Sequence, residues 1–236
     1  MSSSSNTGNN GGVIHQTKSN NTEVKSVPTI KVGVIGCGRI GLLHLEALTK
    51  APGITPLICS NPTLERARKA AEQHHIPYYC SDAMDVIQHP DVDAIWICSP
   101  SQFHSSQIIA CAVNQKHVFC EKPIATDLEQ TILAIDACAA AGVKLMTGLQ
   151  RRFDKNFARV KLAVDTKEVG EPFLIKLTSR DPAPPPKEYV EGGGGLFKGN
   201  QFFMFLLFYF PVFLVSLVVS YLLFFFSLPF LRFLFL

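Results

Sequence analysis

Gly36, Gly38 and Gly41 stand in the spacing G-x-G-x-x-G, directly behind the apolar run "IKVGVI" and at the head of a helical pattern. A strand, a glycine turn and a helix start in that order make a phosphate cradle. Gly36 supplies the sharp turn, Gly38 lets backbone N–H groups reach a pyrophosphate, and Gly41 lets the helix close on the strand. The positive end of the helix then faces the phosphates. The dinucleotide-binding loop expected is Gly36, Cys37, Gly38, Arg39, Ile40 and Gly41. An acidic residue that holds the ribose hydroxyls is expected about 20 positions later. Ser60 and Asn61 stand there instead, with Arg66 and Arg68 beyond them. Neutral residues beside arginines remove the repulsion that excludes a 2′-phosphate, so the cofactor expected is NAD or NADP, with NADP slightly favoured.

A cradle of this kind needs a strand end in a parallel sheet, and the flanking sequence predicts one. After "IKVGVI", a helix follows in which Ile40, Leu43 and Ala47 form the expected core face. "ITPLIC" reads as a strand and "PTLERARKAAEQ" as a helix with Pro62 in its first turn. "DAIWICSP" reads as a strand covered on both faces. "QFHSSQIIACAVNQ" reads as a helix, and "HVFCEKP" as a strand. A further helix begins at Asp127, with Gln130 as its reciprocal cap. Leu128, Ile132, Ile135 and Ala139 form its expected core face, and Gly142 ends it. "KLMTGLQ" closes the series as a strand. The fold class predicted is α/β, a doubly wound parallel Rossmann sheet.

The totals narrow the function classes. The 236 residues carry 22 basic and 19 acidic side chains, a net charge of +3. That balance gives nucleic-acid binding little electrostatic support. The seven cysteines are odd in number, scattered through apolar runs and without C-x-x-C spacing. They read as buried free thiols in a reducing, cytoplasmic setting, with no metal site. His44, His74 and His75 read as helix-surface residues. Residues 1–28 are rich in Ser, Asn, Gly and Thr and lack the apolar core of a signal peptide, so a disordered extension is expected.

The motifs together resemble the Gfo/Idh/MocA oxidoreductases. "GVIGCGRIG", "CSPSQFH", "CEKPIATD" and "GLQRRFDKNF" carry the resemblance, which runs from about Thr29 to Phe197. "SRDPAPPPKEY", with the glycines and Phe197 after it, is most similar to the inositol 2-dehydrogenase branch. The resemblance implies hydride transfer between a nicotinamide cofactor and a secondary alcohol of a polyol or sugar. It makes Lys122, in Glu121-Lys122-Pro123, the catalytic residue beside the nicotinamide and the substrate hydroxyl, and it implies a proline whose peptide bond is often cis. It places Ser99, Pro100, His104, Glu121, Lys122 and Pro123 around the cofactor, and Arg151 with Arg152 at the crossover to a second domain, where Arg151 is expected to contact the cofactor unless the two form an exposed interdomain pair. It also implies a homo-oligomer.

The domain division expected is a Rossmann domain over 29–150, the start of an α+β substrate domain over 151–198, and an apolar tail over 199–236. The family pattern has an aspartate and then a histidine after Phe197, yet this sequence turns to "GNQFFMFLLFYF" and has no histidine beyond His117. Twelve of the 18 phenylalanines lie after residue 200. Two readings of the tail stand open. Phe202 to Leu231 carries no charge and is long enough to span a bilayer. Alternatively, Phe, Leu, Val, Ser and Tyr share thymine-rich codons, as a translated noncoding stretch would. A strand is expected at "PFLIKLTSR", and the missing Asp/His pair leads to an expectation of little dehydrogenase activity.

Overall fold

The computed structural model describes residues 13–17 and 29–174. Of the strand expected at "PFLIKLTSR" only Pro172, Phe173 and Leu174 are described, and they are not in a strand; its remainder, the glycines before Phe197 and the apolar tail lie outside the described residues. In chain order the elements are β1 (His15–Gln16), β2 (Ile30–Ile35), α1 (Arg39–Lys50), β3 (Ile54–Ser60), α2 (Leu64–His74), β4 (Tyr78–Cys80), α3 (Ala83–Ile87) and β5 (Ala94–Ile97). They continue with α4 (His104–Val113), β6 (His117–Cys120), α5 (Leu128–Ala141), β7 (Leu145–Thr147) and α6 (Lys155–Asp165).

The strands form one sheet in the order β1-β4-β3-β2-β5-β6-β7, parallel except for β1. From β2 the chain winds outward through β3 and β4, then returns and winds the other way through β5, β6 and β7. That reversal makes β2 and β5 the topological switch point, where such sheets open a crevice at their carboxyl ends. The register puts those ends in one row: Ile35 pairs with Ser60 and Ile97, and Cys120 pairs with Ile97 and Thr147.

Alternation along the strands feeds two cores. Val32, Val34 and Cys59 meet Leu45 and Leu48 of α1 and the small residues Ala67, Ala70 and Ala71 of α2. Ile35, Ile58, Ile95 and Ile97 meet Val86 and Ile87 of α3, Ile108 of α4, and Ala134 and Cys138 of α5. Both faces of the central strands are thus dry, which is why their sequences are continuously apolar.

Two helix faces differ from expectation. In α1 the buried residues are Gly41, Leu45 and Leu48, while Leu43 is 57% exposed. The phase is set by Gly41, which must face the glycine turn, so Ile40, Leu43 and Ala47 rotate off the sheet. In α5 the buried residues are Ala134 and Cys138, and Leu128, Ile132 and Ile135 are exposed. Small side chains let α5 lie close on α4, so the larger residues turn outward. Asp127 caps α5 by accepting from the Gln130 N–H, but the Gln130 side chain takes the Ser105 hydroxyl instead of reaching back.

Other differences are smaller. Thr63 is the N-cap of α2, leaving Pro62 just outside the helix. The expected helix at "QFHSSQIIACAVNQ" opens with a 3-10 turn, Ser101–Phe103, before α4. Within the extension, β1 pairs antiparallel with β4, and His15 stacks on Tyr79 with ring centroids 5.3 Å apart. An unpaired edge strand offers N–H and C=O groups to any nearby segment, which gives these two residues a partner that composition does not reveal. Among the described residues, no helix is long and apolar enough to cross a membrane.

Candidate active site at the carboxyl edge of the sheet

The glycine turn is built as its spacing predicts. Gly36 has φ +98°, and a Cβ there would lie 2.7 Å from the Cys98 carbonyl. A Cβ on Gly41 would lie 1.8 Å from the Gly36 oxygen, so α1 and the turn are in direct backbone contact. Around Gly38 a Cβ would meet nothing within 4 Å. Gly38 is the N-cap of α1, which has neither a side-chain cap nor an acid in its first turn. By contrast, α3, α5 and α6 are capped by Asp82, Asp127 and Asp154. The first amides of α1 are thus left for an anion, and the open space over Gly38 fits the pyrophosphate of a dinucleotide. Arg39 is exposed beside this space and Ile40 is half-buried.

The loops at the row of strand ends are knitted by backbone bonds. The N–H of Gly36 donates to Ser60, that of Cys98 to Ile35, that of Glu121 to Ile97, and that of Gly148 to Cys120. Cys37 donates its N–H to Asn61 Oδ1 at 3.3 Å and its thiol to the Ser60 carbonyl at 3.4 Å. Ser60 itself is 1% exposed. Its side chain is therefore part of the core. Asn61, one residue further, is half-buried at the end of β3. Of the two arginines, Arg68 is held by Glu65 and Glu72, while Arg66 is exposed on α2.

Ser99 and Pro100 follow β5 on the far side of the switch point. Ser99 Oγ donates to Gln107 Oε1 at 2.6 Å. His104 is 1% exposed and bonds the Ser99 and Pro123 carbonyls. Its ring is enclosed between the segments that follow β5 and β6. Glu121, Lys122 and Pro123 leave the end of β6 half-buried, and the Lys122–Pro123 peptide bond is cis.

Glu121 has partners the sequence did not suggest. His44, on α1, meets Glu121 Oε1 through Nε2 at 2.8 Å, and the Lys122 N–H donates to Oε2 at 3.2 Å. His44 also sets its ring edge against Phe119, which stacks on Trp96 with centroids 4.7 Å apart. Gly148 makes room for the carboxylate, since a Cβ there would come within 3.1 Å of Oε1. The surface-histidine expectation for His44 is therefore corrected. Its visible signal was position: it lies three residues past Gly41, one turn along a helix whose start is fixed at the crevice.

Burial acts to raise the Glu121 pKa, but the His44 bond, the Lys122 N–H and the nearby positive charges outweigh it and hold it below the ordinary value. A carboxyl whose pKa is lowered on folding stabilises the fold above its unfolded pKa and loses that contribution as pH falls through the folded one. Glu121→Gln is therefore expected to flatten the acid limb of the stability–pH curve, measured by urea unfolding across that range. An unchanged acid limb would contradict the pairing.

The cysteines are free thiols, most of them enclosed in the core. All seven are unpaired, and six are buried. Burial pushes the thiol of Cys98, beside the glycine turn, far above its ordinary range, with the Glu121 charge adding to it. Both effects favour the neutral thiol over the reactive thiolate at that position.

An open cavity of about 540 Å³ lies on the α1 side of β6 and β7, lined among others by His44, Phe119, Glu121, Met146, Arg151 and Phe157. Arg151, in the 3-10 turn Gln150–Phe153 after β7, places its guanidinium 5.1 Å from the Phe157 ring centroid. It therefore lines this cavity on the Glu121 side, away from the glycine turn.

The sequence and fold are similar to those of known proteins. A family model described as an oxidoreductase family with an NAD-binding Rossmann fold matches residues 30–149. An uncharacterized oxidoreductase of Bacillus subtilis, YrbE, is 43% identical over 71% of this chain and 49% of its own length. Myo-inositol 2-dehydrogenase of Thermotoga maritima is 40% identical over 71% of this chain and 50% of its own. The structure of scyllo-inositol dehydrogenase from Lactobacillus casei, with bound NAD(H) and scyllo-inositol, superposes with TM-score 0.63 at 33% identity. It covers 65% of this chain, which covers 46% of it. The chain spans about half the length of the curated relatives it matches. With a G-x-G-x-x-G turn at the switch point of a doubly wound sheet and a family match that runs from β2 through β7, the chain belongs to the Gfo/Idh/MocA oxidoreductase family.

Proposed function

We propose that this site binds NAD or NADP and serves hydride transfer between the nicotinamide and a secondary alcohol of a polyol, with an inositol as the substrate class. The observation that carries this reading is the alignment along one sheet edge of an open, uncapped Gly38 turn and the Glu121-Lys122-Pro123 turn. The dehydrogenase names of the relatives support the substrate class. When bound, the nicotinamide supplies the hydride acceptor or donor. Oxidising an alcohol leaves negative charge on its oxygen, and the Lys122 ammonium stabilises that charge. The main-chain bond from Lys122 to Glu121, and the His44 bond to the same carboxylate, fix where the lysine leaves the strand.

Titration calorimetry with NAD and with NADP tests the cofactor, and reduction of NAD driven by myo- or scyllo-inositol tests the substrate. Lys122→Met is expected to lower kcat about 10²–10³-fold, the usual cost of removing one group that stabilises developing charge. Its cofactor Kd should stay as in the parent protein. A Lys122→Met protein with full turnover would remove the lysine from the chemistry. Absence of binding by either dinucleotide to a folded sample would sink the cofactor reading. The expectation of low turnover concerns residues 175–236, and the same inositol assay measures it.

A further inference from the structure

His104 belongs to a cluster on the first turns of α4 that touches the segments following β5 and β6 and the start of α5. Its Nε2 lies 2.7 Å from the Ser99 carbonyl and its Nδ1 lies 2.6 Å from the Pro123 carbonyl. Each ring nitrogen thus lies within hydrogen-bond distance of one carbonyl, and the tautomer sets which of the two carbonyls receives the N–H. Gln107, one turn on, accepts from the Ser99 hydroxyl, and Ser105 donates to the Gln130 carbonyl at the start of α5. The two carbonyls that share the imidazole belong to different walls of the site. Ser99 follows Cys98, whose N–H is anchored to Ile35 beside the glycine turn, and Pro123 follows Lys122.

We propose that His104 is a positioning residue: it sets the separation between the Ser99 segment and the Lys122 turn, and so places the nicotinamide end of the cofactor without touching it. The proposal rests on the cofactor reading above. A doubly wound sheet has two mononucleotide halves, and the adenosine half lies over β2, β3 and Asn61, on the other side of the switch point. His104 braces only the second half. Its loss should therefore be felt by the nicotinamide and not by the adenosine diphosphate portion. The packing beneath α4, from Ile108, Cys111 and Ala112, is separate from these two bonds.

The experiment compares NAD with ADP-ribose, which lacks the nicotinamide, on the full chain and on His104→Ala and His104→Gln. For His104→Ala, NAD affinity should fall about tenfold, on the order of one buried hydrogen bond, while ADP-ribose affinity stays unchanged. His104→Gln, which can still donate to one carbonyl, should recover part of the loss. In the wild-type protein the His104 ring resonances should shift on adding NAD and remain in place with ADP-ribose. That measurement decides the matter if a variant does not fold. Equal losses for the two ligands would overturn the proposal, as would unchanged NAD affinity or ring resonances that ignore NAD. Wild-type protein that binds neither ligand would overturn the cofactor reading itself, a different failure from a wild-type binder whose variants behave alike.

Discussion

Gly41→Ala is expected to destabilise the fold by about 3 kcal/mol or more, the upper range for overpacking. Gly38→Val should leave stability within about 1 kcal/mol of the parent protein while lowering dinucleotide affinity about 100-fold, near 2.7 kcal/mol. The two glycines sit three residues apart in one motif, yet their surroundings are opposite. A Cβ on Gly41 would stand 1.8 Å from the Gly36 oxygen and 2.9 Å from its carbonyl carbon. Both obstacles are backbone, so no side-chain rotation relieves them. Moving Gly36 would drag on its N–H bond to Ser60 and push it into Cys98 and Ser99. A Cβ on Gly38 points into empty space, and its φ of −82° suits any residue. That space is where the phosphates would lie. Urea unfolding and cofactor titration of the two variants separate the roles. A fully stable Gly41→Ala, or a Gly38→Val that binds normally, would show that the turn is not the cradle described.

The geometry of the turn was legible because the motif's spacing encodes contacts between residues close in sequence. The strand series was legible for a related reason: a parallel strand buried on both faces must be apolar throughout, and "AIWI" announces itself. Helix phase was not. In α1 and α5 apolar residues occur on more than one side, and the side that packs is chosen by what small residues permit. Gly41 in α1, with Ala134 and Cys138 in α5, decide the matter. Hydrophobicity alone therefore picked the exposed faces. The site's cross-links were invisible for a different reason. His44 and Glu121 are 77 residues apart, and the two carbonyls that share His104 are brought together only by the pairing of β5 with β6. A sequence shows that a histidine is present, but not whether it faces the ligand or stands behind the wall.

The position after β3 shows how one residue of register changes a substitution's meaning. Read from the sequence, Ser60 and Asn61 are equivalent stand-ins for the missing acid, and Ser60→Asp is expected to turn preference towards NAD. In the structure Ser60 is 1% exposed, and its carbonyl already accepts from the Gly36 amide and the Cys37 thiol. Ser60→Asp would force a carboxyl into the core, with a cost of about 3 kcal/mol or more. Burial raises the pKa of such a carboxyl, so the penalty should shrink as pH falls and the group becomes neutral. Asn61→Asp is the substitution expected to act on the cofactor. Asn61 Oδ1 already accepts from Cys37 N–H, a role that an aspartate oxygen keeps, while the Nδ2 bond to the Thr63 carbonyl is lost. The new charge can accept from a ribose 2′-hydroxyl and repel a 2′-phosphate, so the NAD-to-NADP affinity ratio should rise about tenfold, near 1.4 kcal/mol. Arg66→Ala should weaken NADP alone, whereas Arg68→Ala should leave both cofactors unaffected, because Arg68 is engaged by Glu65 and Glu72. An unchanged ratio in Asn61→Asp, from a protein that still binds dinucleotide, would mean that the ribose lies elsewhere along the edge.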